Sequence, residues 1–174
     1  MARRRYFAAV NRAELAEHLR LMAVTDDAVL RDRDLVAAVA AAVRGGATIV
    51  QLRLEHAAPR DLAALARELI ATVPVPVIVN DRLDVALATG AAGVHLGADD
   101  IPPARARALA PPGFVIGASV GSMEEVAAGL AADYWGIGPW RATATKADAG
   151  EALGADGFAA IAAKADGRPC IAIG

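Results

Sequence analysis

The stretch "VPVIVNDRLDVALATGAAGVHLG", residues 75–97, contains an apolar strand, an amphipathic helical segment and a second apolar strand. Neither "VPVIVN" nor "AGVHLG" alternates between apolar and polar residues as a strand with one wet face would. Continuous apolar runs of this length are typical of parallel strands that are buried on both faces. The stretch therefore predicts one strand–helix–strand unit of a parallel α/β fold.

The same unit recurs along the rest of the chain. Seven strands are predicted, in "LMAVT", "ATIVQLRL", "VPVIVN", "AGVHLG", "FVIGAS", "DYWGIG" and "PCIAIG". Amphipathic, alanine-rich helices separate them. An open doubly wound sheet and a (β/α)8 barrel both fit this order. No GxGxxG follows the first strand and no GxxxxGK[ST] occurs in the sequence, so the barrel is favoured.

We expect one α/β domain over residues 1–174, a (β/α)8 TIM barrel whose eighth βα unit is absent from the sequence. Residues 1–18 are predicted to form an N-terminal helical extension, with barrel units from about residue 20. We also expect that Gly174 is not the natural end and that roughly 25 to 40 residues follow it. Strands one and seven should then flank a gap about one strand wide, near 10 Å between their axes.

Composition limits the classes of partner and compartment. Hydrophobic residues make up 56% of the chain and charged residues 22%, which is typical of an ordered globular protein. The net charge of −2 gives no reason to expect a nucleic-acid or membrane-surface partner, and no apolar run is long enough to span a bilayer. The single cysteine, Cys170, excludes an internal disulfide and fits a cytoplasmic protein. A homo-oligomer remains open.

Polar residues end each of the first six predicted strands. In chain order they are Thr25 and Asp26, Gln51 and Arg53, Asn80 and Asp81, His95 with Asp99 and Asp100, Ser119, and the loop "GPWRATATK" from Gly138 to Lys146. The carboxyl ends of the strands of a barrel meet on one face, where barrel enzymes place their sites. We therefore expect these residues to form a ring around one pocket.

The ring combines cations with carboxylates. Positive charge and hydrogen-bond donors, as a phosphate or pyrophosphate requires, come from Arg53, Thr143, Thr145 and Lys146. Asp81 and Asp100 add hard anionic oxygens from neighbouring strands. Carboxylates that face cations suggest Mg²⁺ bridging to phosphate oxygens, because Mg²⁺ is usually held by one or two carboxylates plus substrate phosphates. We predict that Asp81 and Asp100 lie close enough to hold one Mg²⁺.

Several of these residues also have a purely structural interpretation. A histidine inside an apolar run, such as His95, is more often a hydrogen-bonded core residue than a catalyst. Asp81 directly precedes a helical segment and fits an N-cap. Ser122 and Glu125 have the spacing of a capping box at the start of "SMEEVAAGLA".

The same residues, in this order, resemble the thiamine phosphate synthase family. The matching stretches are "VTD" at 24–26, "GGATIVQLR" at 45–53, "VNDRLDVALATGAAGVHLG" at 79–97, "ADYWGIGP" at 132–139, "TATK" at 143–146 and "PCIAIG" at 169–174. The resemblance covers residues 20–174. It implies a (β/α)8 barrel that uses Mg²⁺ to join an aminopyrimidine methyl pyrophosphate to a thiazole phosphate.

The resemblance also implies roles for individual residues. Asp81 and Asp100 would hold the Mg²⁺. The catalytic residues would be Arg53, Ser119 and Lys146, with Arg53 and Lys146 on the pyrophosphate. Contacts to the substrates would come from Gln51, Arg53, Asn80, Ser119, Thr143, Thr145, Lys146 and Gly174.

The chain departs from the family pattern at several positions. After "QLR" the family usually has an acidic residue and then a lysine, where this chain has Leu54 and Glu55. Ala98 replaces the glutamine usual after "HLG", and residues 140–142 differ from the usual loop. The change from a cation to an anion predicts weaker pyrophosphate binding, because Glu55 repels phosphate.

Two alternatives to the synthase remain open. Thiazole tautomerases, which the chain also resembles, share the barrel fold but use a histidine after the fifth strand, where this chain has Gly121. A barrel that binds thiamine precursors, or regulates without catalysis, is the other alternative, and Glu55 and Ala98 support it. Retention of Asp81, Asp100 and the threonine–lysine loop favours the synthase.

Overall fold

Seven parallel strands form a single sheet in the computed structural model, which describes residues 7, 9–27, 34–142 and 151–174. The strands are β1 (Met22–Val24), β2 (Ile49–Leu52), β3 (Val77–Asn80), β4 (Gly93–Leu96), β5 (Val115–Ser119), β6 (Tyr134–Ile137) and β7 (Cys170–Ala172). They lie side by side in chain order, β1 to β7, and every neighbouring pair is parallel. Each of the seven predicted strands is therefore confirmed.

Helices precede or follow each strand in the described residues. They are α1 (Arg12–His18), α2 (Leu35–Arg44), α3 (Pro59–Thr72), α4 (Leu83–Thr89), α5 (Pro103–Leu109), α6 (Val126–Gly129) and α7 (Gly154–Ala162). Local sequence accounts for several of their ends. The Asp34 carboxylate accepts from the amide of Ala37 at the start of α2, and Pro103 occupies the first turn of α5.

The capping box predicted at Ser122 and Glu125 is wrong. Helix α6 begins only at Val126, and the residue at its N-cap, Glu125, makes no side-chain capping bond. The Glu125 carboxylate instead accepts a hydrogen bond from the backbone N–H of Gly121, at 2.6 Å. The carboxylate that the sequence pattern assigned to a helix cap thus binds a backbone amide in the loop after β5.

The helices pack on one face of the sheet, as in a barrel and unlike a doubly wound sheet. Buried residues of α2, α3, α4, α5 and α7 form one cluster with alternate strand residues such as Val50, Val79 and Ile116. The strand residues of opposite parity, such as Ile78 and Val115, form a second cluster that contains none of these helices. The sheet is therefore a curved half-barrel, with helices outside and a separate inner core.

The N-terminal extension closes the bottom of this inner core. Helix α1 is capped by the Asn11 side chain. It covers only the second part of the helical extension predicted for residues 1–18. Residues 1–6 and 8 of that extension lie outside the described residues. Phe7, Leu15 and Leu19 are buried in the inner cluster. Together with the strand residues that they contact, they form what is called the floor of the barrel below.

The first and last strands have one neighbour each. Within the described residues, β1 pairs only with β2, and β7 pairs only with β6. Apolar side chains beside these two edges, Val24 and Ile173, are 43% and 37% exposed. Strands one and seven are thus not paired with each other, in agreement with the predicted gap, whose width stays a prediction.

Candidate functional site

The inner face of the sheet changes from apolar to polar along the strands. Because side chains of a strand alternate between faces, residues two positions apart share one face. On the inner face of β2, Ile49 is followed by Gln51, and on that of β3, Ile78 is followed by Asn80. On the inner face of β5, Val115 is followed four positions later by Ser119. The apolar members lie on the floor. The polar members therefore meet at the opposite end, the carboxyl ends of the strands, called the mouth below.

Arg53 places a cation at the mouth. It follows β2 directly and is 9% exposed. Its guanidinium donates to the Asp26 carboxylate at 2.8 Å and to the Glu55 carboxylate. The Thr25 hydroxyl accepts from the Arg53 amide and donates to the Arg53 carbonyl, both at 2.9 Å. The strand ends of β1 and β2 thus hold this arginine by its backbone and by its side chain.

Asp27 fixes the loop that carries Glu55. Its carboxylate accepts from the backbone amides of Glu55 and His56, each at 3.0 Å. Burial is the largest single influence and raises the pKa of Asp27, but the backbone hydrogen bonds from His56, Glu55 and Asp27 itself, together with the electrostatic effect of His56, lower the pKa below the usual 3.8. Asp27 therefore holds Glu55 where its carboxylate reaches Arg53.

A buried polar network lies just inside the mouth. The His95 ring is 6% exposed, and its Nδ1 lies 2.9 Å from the Tyr134 hydroxyl while its Nε2 lies 3.1 Å from Ser119 Oγ. Burial raises the pKa of the Tyr134 phenol, and the neighbouring Gln51 side chain lowers it by less. The prediction that His95 is a hydrogen-bonded core residue is confirmed, and one of its partners is the candidate site residue Ser119.

Two glycines make room for this network. A Cβ on Gly117 would lie 2.2 Å from Tyr134 Cζ, and a Cβ on Gly136 would lie 2.9 Å from His95 Cε1. The pattern of strand residues did not single out Tyr134. A phenol inside an otherwise apolar strand is itself informative, because its hydroxyl needs a partner when buried.

The two candidate metal ligands follow neighbouring, paired strands. Asp81 comes directly after β3 in a left-handed conformation, with φ of 59°, and its amide donates to the His95 carbonyl at 2.8 Å. The N-cap of α4 is Arg82, so the interpretation of Asp81 as a helix cap is wrong. Asp100 lies after β4, and its Oδ2 accepts from the Gly97 amide at 2.7 Å. A non-glycine residue with positive φ at a strand end is a feature common at functional sites.

These carboxylates fit a weakly ligated Mg²⁺ better than a closed metal centre. In the part of the chain that the structure describes, no group of three or more His, Cys, Asp or Glu side chains is placed to hold a metal. Mg²⁺ commonly takes only one or two protein carboxylates and completes its shell with water and substrate phosphates. The donor chemistry of Asp81 and Asp100 agrees with that pattern, and their separation stays a prediction.

The loop after β6 and the end of β7 meet at the same mouth. The Trp140 amide donates to the Ile173 carbonyl at 2.6 Å, and a Cβ on Gly174 would lie 2.9 Å from that amide nitrogen. Gly174 has a φ of 121°, which favours glycine. The predicted phosphate-binding residues Thr143, Thr145 and Lys146 lie outside the described residues.

The position that a tautomerase would fill with histidine has little space. A Cβ on Gly121 would lie 2.9 Å from the Gly138 carbonyl oxygen. Any side chain there requires the β6 loop to shift. Ala98, by contrast, is exposed.

Two further features bear on the class of protein. Among the described residues no helix is long and apolar enough to cross a membrane. Cys170 is a free cysteine, and burial raises the pKa of its thiol. A thiol with a raised pKa is a poor nucleophile at neutral pH, as expected for a strand residue with a packing role.

Comparisons with known proteins identify the family of the chain. A family model for thiamine monophosphate synthase matches residues 21–174. A thiamine-phosphate synthase of Azorhizobium caulinodans is 51% identical over 146 residues, which are 81% of this chain and 69% of that protein. One of Albidiferax ferrireducens is 46% identical over 90% of this chain and 73% of its own length. A solved thiamine phosphate pyrophosphorylase from Pyrococcus furiosus matches with a TM-score of 0.79 and 35% identity, over 92% of this chain and 77% of that one. The chain therefore belongs to the thiamine monophosphate synthase family.

Proposed function

We propose that the chain is a thiamine-phosphate synthase that couples hydroxymethylpyrimidine pyrophosphate with thiazole phosphate and releases pyrophosphate. It is a transferase of thiamine biosynthesis, and we place it in the cytoplasm. The observation that carries the proposal is the mouth itself. There the Arg53 guanidinium, the Ser119 hydroxyl and the carboxylates of Asp81 and Asp100 follow four consecutive strands. Their chemistry suits a pyrophosphate ester with a bound divalent cation.

The reaction breaks the bond between the pyrimidine methylene carbon and the pyrophosphate oxygen, and forms a bond from that carbon to the thiazole nitrogen. Negative charge grows on the departing pyrophosphate. Arg53 and Lys146 bind its oxygens and stabilise that charge, which is the large contribution in a reaction of this kind. Asp81 and Asp100 would hold Mg²⁺, which would supply further neutralisation of the phosphate oxygens. Thr143 and Thr145 donate to phosphate oxygens, while Gln51, Asn80 and Ser119 orient the pyrimidine.

The thiazole phosphate must reach the same carbon from the other side of the mouth. Gly174 lies beside the backbone of residues 139–141, and its missing side chain allows a phosphate to approach backbone amides there. This location agrees with the phosphate sites of barrels, which often use the loops after the last strands. Close positioning of carbon and nitrogen is the second contribution that the barrel makes.

One observation favours a second function, a barrel that binds these precursors without turning them over. Glu55 is paired with Arg53, the cation that should hold the pyrophosphate. A ligand must displace this carboxylate or bind beside it. The two functions differ in one measurement, since only the synthase forms thiamine phosphate.

The test uses purified protein with both substrates, with and without Mg²⁺, and measures thiamine phosphate formed. Titration calorimetry with hydroxymethylpyrimidine pyrophosphate measures binding in parallel. Mg²⁺-dependent product supports the synthase, whereas binding without product supports the second function. Absence of both overturns the assignment of the mouth to these ligands.

A matched pair of variants tests the metal ligands. Asp81→Asn removes one carboxylate charge at the mouth and should raise the Mg²⁺ concentration needed for half-maximal turnover by about tenfold or more. Asp84→Asn removes a carboxylate three residues away that is paired with Arg82 on the surface of α4, and it should leave that concentration unchanged. Equal effects of the two substitutions contradict the assignment of Asp81.

A further inference from the structure

The polar network inside the mouth joins buried side chains that constrain one another's hydrogen-bond donors and acceptors. It contains four side chains from four strands, Gln51, Tyr134, His95 and Ser119. Three of them are nearly or fully buried: Tyr134 is 0% exposed, Gln51 5% and His95 6%. Buried polar groups must use their donors and acceptors, because an unsatisfied one is costly. The donors can therefore be traced along the network.

The trace begins at Gln51. Its Nε2 lies 3.5 Å from the Met22 sulfur, to which it donates one hydrogen. Burial raises the pKa of the Tyr134 phenol above the usual 10, and the neighbouring Gln51 lowers it by less. The fully buried phenol therefore keeps its proton, and that proton needs an acceptor.

The Tyr134 proton then has His95 as its acceptor. Among the described residues, the atom that the geometry places within hydrogen-bond distance of this hydroxyl is Nδ1 of His95, 2.9 Å away. A neutral imidazole whose Nδ1 accepts carries its hydrogen on Nε2. That nitrogen lies 3.1 Å from Ser119 Oγ, so it donates to the serine. The serine oxygen accepts from within the barrel, and the serine proton turns toward the mouth.

We propose that Tyr134 and His95 are positioning residues that present the Ser119 hydroxyl to the bound ligand as a hydrogen-bond donor. The inference rests on the proposed function for the identity of that ligand. A serine hydroxyl free to rotate can donate or accept. With its oxygen held by His95, this serine selects a ligand with an acceptor atom opposite it. Gly117 and Gly136 contribute to the same arrangement, because side chains there would displace Tyr134 and His95.

The tautomer of His95 tests the direction without any ligand. The chain has three histidines, so nitrogen NMR of the imidazoles can be assigned by comparison with the His95→Gln variant. The wild-type protein should show His95 as the neutral form with hydrogen on Nε2. A hydrogen on Nδ1 overturns the inference, because His95 would then accept from Ser119.

Binding tests the consequence for the ligand. Tyr134→Phe removes the hydroxyl that orients His95 and, through it, Ser119. Calorimetry with hydroxymethylpyrimidine pyrophosphate and Mg²⁺ should give about tenfold weaker affinity for this variant, a change of the size of one ordinary hydrogen bond. Ser119→Ala should lose at least as much. The double variant should bind no more weakly than Ser119→Ala, since Tyr134 acts through the serine. The control Ser122→Ala, which removes a serine hydroxyl outside this network, should match the wild type.

The outcomes separate this inference from the proposed function. Losses that add in the double variant show that Tyr134 acts by packing alone and overturn the positioning role. A wild-type protein that does not bind the pyrimidine pyrophosphate overturns the proposed function, and the tautomer of His95 then decides the direction of the network by itself.

Discussion

At the scale of the residue, Glu55 has the largest consequence for ligand binding. Its carboxylate contacts the Arg53 guanidinium, and Asp27 holds the loop that places it there. Glu55 is half-exposed, whereas Asp26, on the other side of the guanidinium, is mostly buried. A phosphate that approaches from solvent therefore competes with Glu55 rather than with Asp26.

Replacement of Glu55 should reveal that competition. Glu55→Lys removes the competing carboxylate and adds a cation, and it should strengthen Mg²⁺-pyrophosphate binding by about tenfold or more. Calorimetry at constant ionic strength measures the change. Glu68→Lys on the exposed side of α3 makes the same change in net charge and serves as the control. Unchanged affinity in Glu55→Lys means that the carboxylate leaves Arg53 before the ligand arrives.

Asp27 predicts a pH dependence of stability. Its pKa in the folded protein is lower than the usual 3.8: burial raises it, but backbone hydrogen bonds, chiefly from His56 and Glu55, and the electrostatic effect of His56 together lower it. A lowered folded-state pKa means that the contribution to stability is present above pH 3.8 and is lost as the pH falls through the folded-state pKa. Urea unfolding between about pH 2.5 and 6 should show a smaller acid loss in Asp27→Asn than in the wild type. Parallel curves for the two proteins contradict this role.

At the scale of the element, the strands were more predictable than the short helices. Each strand is a continuous apolar run, and burial on both faces is a property that the run itself carries. The capping box at Ser122 failed because a capping motif is local, while the Glu125 carboxylate found a partner in Gly121. The Tyr134–His95–Ser119 contacts were also not predictable, since they join three strands whose register only the folded sheet defines.

Gly117 of β5 leaves room for the Tyr134 ring of β6. A Cβ there would lie 2.2 Å from Tyr134 Cζ, in a region without free space. Gly117→Ala should lower the free energy of unfolding by about 1–3 kcal/mol, the usual cost of overpacking. Gly45→Ala is the comparison and should cost less, because Gly45 has a φ of −77° and its added Cβ would lie 3.3 Å from the Ala42 carbonyl oxygen, which needs a shift of only a few tenths of an ångström. Urea denaturation measures both.

A second substitution distinguishes overpacking from a general effect on β5. Tyr134→Leu opens space opposite residue 117, so the double variant with Gly117→Ala should lose less stability than the two single losses added together. Strict additivity would show that the methyl group of alanine does not meet the tyrosine ring.

At the scale of the whole molecule, the two ends of the barrel have different tasks. The mouth gathers polar residues from the carboxyl ends of the strands, and this part of the site was predictable because parallel strands must end on one face. The floor was not, because an amphipathic helix in the sequence does not specify which surface it covers. The fold shows that helix α1 packs against Ile49, Ile78 and Val115 at the opposite end from the candidate site.

Helix α1 should therefore matter for stability and not for catalysis. Leu15 is fully buried in the floor, so Leu15→Ala removes apolar contacts and leaves a cavity, at a cost of about 2–5 kcal/mol in the free energy of unfolding. Stabilities of whole domains are about 5–15 kcal/mol, so this loss is large but leaves the protein folded at 25 °C in most cases. Leu21→Ala, at a position 54% exposed, is the control and should change stability by no more than about 0.5 kcal/mol. Urea unfolding gives the stabilities, and the KM for hydroxymethylpyrimidine pyrophosphate should be the same in all three proteins. A raised KM in Leu15→Ala with the protein still folded would mean that the floor and the mouth are mechanically coupled, and that the extension shapes the site as well as closing the barrel.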